Sequence, residues 1–267
     1  MIIVDAQVHP WSSGESTGHH RRDPIDNAVL LHEMAVAGVD RVVLVPPLWD
    51  PQGNAYALSM ARHAPERFSV MGLIDPADTD AAAHLRHWHE TPGMRGVRFL
   101  LNTPERLKPL HDGLCEPLWA IAQEQGIPVA ILAPGQLEEV SAIAKRYPGL
   151  KLIVDHLAVP RGAVGPRALQ HWPELLALAA LPNIHVKAVG VGDYALDPYP
   201  FASLDKPLRQ VCDAFGADRV IWGSDLSRLH HPYVHCVQHF EQHLHFLDQQ
   251  ALTKVMGQNI LQLLGWT

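Results

Sequence analysis

The stretch Ile2-Ile3-Val4-Asp5-Ala6-Gln7-Val8-His9-Pro10 decides the fold prediction, because an apolar run near the start of the chain ends in polar side chains. The run is rich in β-branched residues and stops at a proline, which predicts a buried β-strand. Side chains alternate along a strand, so we expect Gln7 and His9 on the same face. The strand therefore carries two polar groups at its carboxyl end.

Three later apolar runs end in the same way. Arg98 follows Met94-Arg95-Gly96-Val97, His156 follows Leu152-Ile153-Val154-Asp155, and Asp225 follows Val220-Ile221-Trp222-Gly223-Ser224. Four further strands are predicted at 41–45, 68–74, 128–132 and 184–189, with helical spacers between them. Eight strands that alternate with helices, and that carry polar groups at their carboxyl ends, predict an α/β fold of the (β/α)8 or TIM-barrel type.

Length, charge and cysteine content limit the classes of protein to consider. A chain of 267 residues suits one barrel, so we expect a single domain over 1–267. The net charge of −7 and the lack of a basic stripe argue against nucleic acid and anionic membranes, and favour a small-molecule substrate. Three cysteines without Cys-x-x-Cys spacing, and a start without a signal sequence, predict a cytoplasmic protein. The sequence leaves homo-oligomerisation open.

Two regions outside the strands carry separate expectations. Residues 101–113 are predicted to form a long functional loop. A helix predicted over 233–247 belongs to a segment with a histidine at every fourth residue, from His231 to His243. Such spacing can chelate a metal, but we interpret it as the exposed polar face of an outer helix.

A closed barrel would bring the strand-end side chains together at one mouth. This set contains Gln7, His9, Arg98, His156, Lys187 and Asp225. A carboxylate beside two imidazoles can hold a divalent cation, or it can take a proton from water while the imidazoles steady an attacked carbonyl. Arg98 is suited to a substrate carboxylate. Lys187 either adds positive charge to the site or pairs with a structural carboxylate such as Asp155.

Other candidates for substrate binding lie near the first two strands. Trp11 and Trp49 follow these strands and could form an aromatic wall for a ring-shaped substrate, although packing at the rim explains them equally well. The group His19-His20-Arg21-Arg22 follows the first strand, and His20 and Arg22 there could meet an anion. A solvated charged loop is the alternative interpretation.

Six short motifs together resemble one known family. They are Asp5-Ala6-Gln7-Val8-His9, Gly96-Val97-Arg98, Val154-Asp155-His156, Val186-Lys187-Ala188-Val189-Gly190, Trp222-Gly223-Ser224-Asp225 and Val255-Met256-Gly257-Gln258-Asn259. In order and spacing they resemble the amidohydrolase-related (type 2) branch of the amidohydrolase superfamily. The resemblance implies a distorted TIM barrel, and an activity like that of lactonases acting on pyrone dicarboxylate, muconolactones and sugar lactones, or of zinc- or manganese-dependent decarboxylases.

One position departs from the family pattern, in which the first strand usually carries His-x-His. Gln7 takes the place of the first histidine, and an amide oxygen is a poor zinc ligand. We therefore expect a metal-independent hydrolase of a carboxylate-bearing lactone. Asp225 would act as the general base on water, and N–H groups of His9 and His156 would stabilise the oxyanion.

Two alternatives remain open from the sequence. The first is a metal-dependent decarboxylase of an aromatic or unsaturated acid, with a single ion such as zinc held by His9, His156 and Asp225. The second is a barrel that binds a small molecule without catalysis.

Overall fold

The computed structural model describes all 267 residues. Its sheet has eight parallel strands that neighbour one another in chain order. They are β1 (Val4–Val8), β2 (Arg41–Leu44), β3 (Phe68–Leu73), β4 (Met94–Leu100), β5 (Val129–Leu132), β6 (Leu152–Val154), β7 (Ile184–Val189) and β8 (Val220–Gly223). Each predicted strand is present, and the (β/α)8 prediction is confirmed.

The α-helices lie mainly between the strands. They are α1 (Asn27–Ala37), α2 (Gly53–His63), α3 (Ala81–Arg86), α4 (Pro104–His111), α5 (Glu116–Gln125), α6 (Leu137–Arg146), α7 (Trp172–Ala177), α8 (Asp205–Phe215), α9 (Tyr233–Gln238), α10 (Gln249–Thr253) and α11 (Asn259–Leu264). Helix α1 is capped at both ends. The Asp26 carboxylate accepts from the Val29 N–H at 2.9 Å, and Gly38 closes the helix with φ of 76°. No helix combines the length and the apolar character needed to cross a membrane.

The barrel interior below the strand ends is filled by small and medium apolar side chains. This layer is Val4, Ala6, Val43, Val45, Met71, Ala130, Ile153 and Ile221. Ile260, Leu263 and Leu264 from α11, with Trp266 after it, pack against the same layer. The interior is therefore a packed core that leaves only the carboxyl-terminal face of the sheet for a site.

The join between β8 and β1 has no continuous ladder of backbone pairs, and a side chain completes it. The Asp5 carboxylate accepts from the backbone N–H of Ser224 at 2.9 Å and from that of Gln7 at 3.0 Å. It also accepts from the Tyr233 hydroxyl at 2.6 Å and from the Ser224 hydroxyl. Above it, the Asp225 N–H donates to the Gln7 carbonyl at 3.0 Å. The seam therefore brings Asp225 directly beside the end of β1.

The segment 101–113 is mostly helical and not the predicted loop, because α4 occupies most of it, although its residues Asn102 and Arg106 line the cavity described below. Thr103 caps the helix by accepting from the Arg106 N–H at 3.4 Å, and Pro104 opens its first turn. No residue of α4 is buried. The helix therefore lacks the apolar periodicity by which helices are recognised in a sequence.

The histidine-rich segment is also packed differently from the prediction of an exposed polar face. His239 is fully buried and its Nδ1 lies 2.7 Å from the Pro200 carbonyl oxygen. The His235 ring stacks on Tyr199 at 4.1 Å between centroids. The segment after β7 that contains Tyr199 and Pro200 covers this face, and a π-helical turn at His239–His243 follows α9. The long predicted helix is thus shorter and half-covered.

Candidate active site

A cavity of about 230 Å³ opens at the carboxyl ends of the strands. It is lined by His9, Thr17, His19, Pro46, Pro47, Leu48, Trp49, Leu73, Arg98, Leu100, Asn102, Arg106, Leu132, Pro134, His156, Val159, Arg161, Asp225 and Arg228. The lining includes four arginines and one carboxylate, in a chain whose net charge is −7. The cavity is therefore a positively charged pocket on an acidic protein.

Asp225 lies at the cavity floor, as the sequence predicts, between both imidazoles. Its Oδ1 is 3.3 Å from His9 Nε2, and its Oδ2 is 3.7 Å from His156 Nε2. The backbone at Asp225 is left-handed, with φ of 54°, a strained conformation that is common at active sites. Burial alone would raise the pKa of this carboxyl group, but the two imidazoles, which are protonated in the acid range where the carboxyl group titrates, and Arg228 hold its pKa well below 3.8. Asp225 is ionised at neutral pH, and Oδ1 has no hydrogen-bond donor.

The His9 ring is held by its other nitrogen. His9 Nδ1 lies 2.6 Å from the Val45 carbonyl oxygen, which can only accept, so Nδ1 carries the proton. Burial lowers the pKa of His9 to about 4, although the charge of Asp225 opposes this shift. His9 is therefore neutral at pH 7, with the lone pair of Nε2 directed at the cavity floor.

His156 has the same arrangement. Its Nδ1 lies 3.4 Å from both the Val189 carbonyl oxygen and the Tyr194 hydroxyl, and its Nε2 lies 2.9 Å from Gln7 Nε2. Burial lowers its pKa to about 4, again against the charge of Asp225. The neutral ring of His9 thus offers a lone pair at Nε2, whereas the Nε2 lone pair of His156 accepts from the Gln7 amide. The prediction that their N–H groups stabilise an oxyanion is corrected, because those protons are on Nδ1 and face backbone carbonyls.

Lys187 and Arg98 share a carboxylate beneath the floor. Arg98 Nε donates to Asp155 Oδ2 at 2.6 Å, and Lys187 Nζ lies 3.1 Å from Asp155 Oδ1. Burial would raise the pKa of Asp155, but these two cations hold it well below 3.8. Lys187 is fully buried and does not line the cavity, so of the two roles predicted for it the structure has the ion pair with Asp155. Arg98 lines the cavity, as expected of a substrate anchor.

Three outer residues predicted to bind substrate lie outside the cavity. Trp11 is fully buried, bridges to Ile25 and packs its ring on Trp49, so it belongs to the core. The His20 ring packs on His230 beside a neighbouring cavity, which shares two arginines with the main one. Arg22 is exposed and pairs with Glu15 at 3.1 Å. Of the two predicted tryptophans only Trp49 lines the site.

Other cavity residues are absent from the sequence prediction. Arg228 follows Asp225 by one turn, with Nη1 at 3.5 Å from Asp225 Oδ2. His19, from the loop that was predicted to meet an anion, packs on Trp49 and lies 2.8 Å from the Ser227 hydroxyl through Nδ1. Arg161 donates to the Thr17 carbonyl at 3.2 Å and so ties two rim loops together. The three-residue spacing from Asp225 is the only sequence signal that could have identified Arg228.

The donor set does not fit a tightly bound divalent cation. The third neighbour of the two Nε2 atoms is the N–H group of Gln7, which is a donor and cannot ligate a metal. Three cations also surround the carboxylates of Asp155 and Asp225. They are Lys187, Arg98 and Arg228.

Comparison with known proteins agrees with this architecture. The profile of the amidohydrolase family matches residues 4–266. The L-fucono-1,5-lactonase of Burkholderia ambifaria is 32% identical over 237 residues, which cover 85% of this chain and 81% of the relative.

Two solved structures have the same fold. An amidohydrolase from Burkholderia multivorans with bound zinc is 21% identical, with a TM-score of 0.82 over 99% of both chains. A structure from Pseudomonas putida, named as a 2-pyrone-4,6-dicarboxylic acid hydrolase, is 22% identical, with a TM-score of 0.77 over 99% of this chain and 97% of that one. With a family profile that spans nearly the whole chain, and a relative above 30% identity, this protein belongs to the amidohydrolase family.

Proposed function

We propose that this protein hydrolyses a lactone, and that Asp225 is the general base. The observation that carries the proposal is the floor of the cavity, where an ionised carboxylate faces the Nε2 atom of a neutral His9 at 3.3 Å. Each of these two atoms is an acceptor that can take a hydrogen bond from a water molecule at the cavity floor, and the ionised carboxylate is the one that can also take its proton. The relative that is an L-fucono-1,5-lactonase supports the same reaction class.

The reaction adds water to the lactone carbonyl and opens the ring to a hydroxy acid. Asp225 takes a proton from the attacking water, and the carbonyl oxygen becomes negative. The Arg228 guanidinium, 3.5 Å from the same carboxylate, is the group best placed to stabilise that charge. The proton then passes to the ring oxygen as the carbon–oxygen bond breaks. Water is the only co-reactant that this hydrolysis requires.

The charge of the cavity supports a lactone that carries a carboxylate. Arg98, Arg106, Arg161 and Arg228 line the cavity with Asp225 as the only acidic residue. Arg106 Nη1 donates to Asn102 Oδ1 at 2.9 Å, which holds its guanidinium at the rim. A guanidinium recognises a carboxylate through paired N–H donors, so a lactone with an acidic substituent gains contacts that a neutral lactone lacks.

The proposal includes a metal-independent reaction, because Gln7 presents an N–H group to the Nε2 atoms of both His9 and His156, at 3.5 Å and 2.9 Å. It also includes one domain for the whole chain and a cytoplasmic location. The location is supported by three free cysteines, of which Cys115 and Cys236 are buried. Limited proteolysis that released a stable fragment would contradict the single domain, and cell fractionation tests the location.

The experiment is a panel of lactones assayed with and without a chelator. The panel contains L-fucono-1,5-lactone, 2-pyrone-4,6-dicarboxylate and a neutral six-membered lactone, and acid release is followed by a pH indicator. We expect hydrolysis that the chelator does not change, with the highest kcat/KM for a carboxylate-bearing member. Activity lost with chelator and restored by zinc would overturn the metal-independent reaction. Carbon dioxide release from an aromatic acid would indicate a decarboxylase, and binding without turnover a binding barrel.

A further inference from the structure

Lys187 meets the side chain of Gln7 beneath the cavity floor. The ammonium is fully buried, and it donates to Gln7 Oε1 at 3.3 Å and to Met71 Sδ at 3.7 Å. An ammonium has three N–H donors and no acceptor, so the Gln7 atom that faces it must be the amide oxygen. A reversed amide would press its NH2 group against the ammonium. Lys187 therefore fixes which end of the Gln7 amide points upward.

The upward end is Nε2, which lies 2.9 Å from His156 Nε2. Because the amide nitrogen can only donate, His156 Nε2 must accept, and the proton of the neutral ring is on Nδ1. The surroundings of Nδ1 agree with this tautomer. The Tyr194 hydroxyl donates to the Val189 carbonyl at 2.7 Å, which leaves the Tyr194 oxygen free to accept from His156 Nδ1 at 3.4 Å.

We propose that Lys187 is a positioning residue that acts through Gln7. By orienting the amide it holds His156 in the tautomer with the proton on Nδ1, and it turns the only oxygen of Gln7 away from the space between His9, His156 and Asp225. The inference rests on the proposed function only in taking the cavity that His156 lines as the place of the reaction. The tautomer of His156 is measured without substrate, so a failure of this inference is distinguishable from a failure of the proposed lactone hydrolysis.

A simpler role for Lys187 is to neutralise Asp155. Asp155 already has a cation, because Arg98 Nε donates to it at 2.6 Å. Orienting Gln7 and neutralising Asp155 are roles that predict different results when the ion pair is broken by replacing Lys187 or by replacing Asp155. Loss of the Asp155 charge leaves the Lys187 amino group, with its N–H donors, facing Gln7, whereas loss of that amino group frees the amide to rotate.

The test uses protein with ¹⁵N-labelled histidine, whose ring nitrogens have different chemical shifts with and without a proton. The His156 signals are those missing from a His156→Asn protein. In the unmodified protein we expect His156 with a protonated Nδ1 and a bare Nε2. Lys187→Met should give a mixture of both tautomers, and the matched control Asp155→Asn should keep the original one. Equal spectra for Lys187→Met and the unmodified protein would overturn the proposal, as would an equal change in Asp155→Asn.

Two further variants keep the test decisive if Lys187→Met does not fold. Lys187→Met combined with Asp155→Asn removes both charges of the ion pair, and should give the same mixed tautomer. Gln7→Glu preserves the shape of the side chain and replaces the N–H group by an oxygen that can only accept. His156 must then carry a proton on Nε2, and signals like those of the unmodified protein would count against the mechanism.

The affinity for zinc is a second measurement that tests the orientation of the Gln7 amide. Gln7→Glu places a charged oxygen between the imidazoles, so we expect it to bind Zn²⁺ at least about tenfold more tightly than the unmodified protein in a competition titration with a fluorescent chelator. Adding Asp225→Asn to Gln7→Glu should remove the gain, because the ion would lose a ligand. Zinc affinity in the unmodified protein equal to that of Gln7→Glu would show that the amide does not exclude the ion.

Discussion

The carboxylate of Asp225 lies between two neutral imidazoles, at 3.3 Å from His9 Nε2 and 3.7 Å from His156 Nε2. Its Oδ1 has no hydrogen-bond donor although it is buried, which is costly unless a water molecule or a substrate group completes it. In the proposed reaction that atom takes the proton. Its environment, with a low pKa and an open acceptor, explains why the residue is ionised and ready for water at neutral pH.

Asp225→Asn should abolish most of the activity without loss of the fold. The amide has the shape of the carboxylate but cannot accept a proton, so we expect kcat to fall by about 10²- to 10⁴-fold, the range for a general base. Lactone hydrolysis and circular dichroism are the measurements. The exposed Asp213→Asn on α8 is the matched control and should leave kcat unchanged. Near-full activity in Asp225→Asn would remove it from the role of base.

The neutral imidazoles also predict how activity depends on pH. The pKa of both His9 and His156 is lowered to about 4, so the acceptor form of each ring is present from neutral pH down to about 5. The value of kcat/KM reports groups of the free enzyme. We expect it to be flat from about pH 8 to pH 5 and to fall only below that, as the Nε2 atoms become protonated. A fall centred near 6.5 would mean that one ring titrates as an ordinary histidine.

At the scale of elements, the seam between β8 and β1 controls where Asp225 lies. Asp5 accepts four hydrogen bonds there, two from backbone N–H groups and two from hydroxyls. Asp5→Ala leaves buried donors without a partner, so we expect a loss of about 3 kcal/mol or more in the free energy of unfolding. Tyr233→Phe removes one of these bonds and should cost about 1 to 2 kcal/mol. Urea unfolding measures both changes.

The seam also links stability to catalysis. Asp225 N–H donates to the Gln7 carbonyl at 3.0 Å, directly above the bonds of Asp5. We therefore expect Asp5→Ala to displace the seam between β8 and β1, and with it Asp225, and so to lower kcat. Asp5 itself does not line the cavity. An Asp5→Ala protein with unchanged stability and unchanged kcat would show that the backbone alone holds the seam.

The elements differ in how well the sequence predicts them, and burial explains the difference. All eight strands are buried apolar runs, which a sequence displays directly. Helix α4 has no buried residue, so only its Thr103-Pro104 start marks it in the sequence.

The residues of the candidate site also differ in how well the sequence predicts them. His9, Arg98, His156 and Asp225 end strands and reach the cavity as predicted, whereas Arg161 and Arg228 come from loops whose path depends on tertiary contacts. For Trp11 the sequence leaves two roles open, because a rim tryptophan and a core tryptophan have the same sequence pattern, and the structure has the packing role.

At the scale of the whole molecule, the buried histidines couple folding to pH. Burial holds the pKa of His9 and His156 near 4 in the folded protein, while the unfolded chain has the ordinary value of 6.5. Between these values the unfolded chain binds protons that the folded protein excludes, so stability falls as pH falls from about 6.5 toward 4. The depressed carboxyl groups Asp155 and Asp225 add to the loss only below about pH 4, where the unfolded chain begins to protonate them.

Urea unfolding at pH 7 and pH 5 should therefore give different stabilities. Each of the two rings contributes a loss of roughly 2 kcal/mol over this interval, since one pKa unit corresponds to about 1.4 kcal/mol and the unfolded histidines are mostly protonated at pH 5. These two rings together contribute a loss of roughly 4 kcal/mol, which is a large share of the 5 to 15 kcal/mol typical of a folded domain. His9→Gln removes one of the rings and should reduce the difference between the two pH values by roughly 2 kcal/mol. If His9→Gln and the unmodified protein lose equal stability, His9 is not held neutral by burial, and the water-binding arrangement proposed for the cavity floor would need a protonated ring instead.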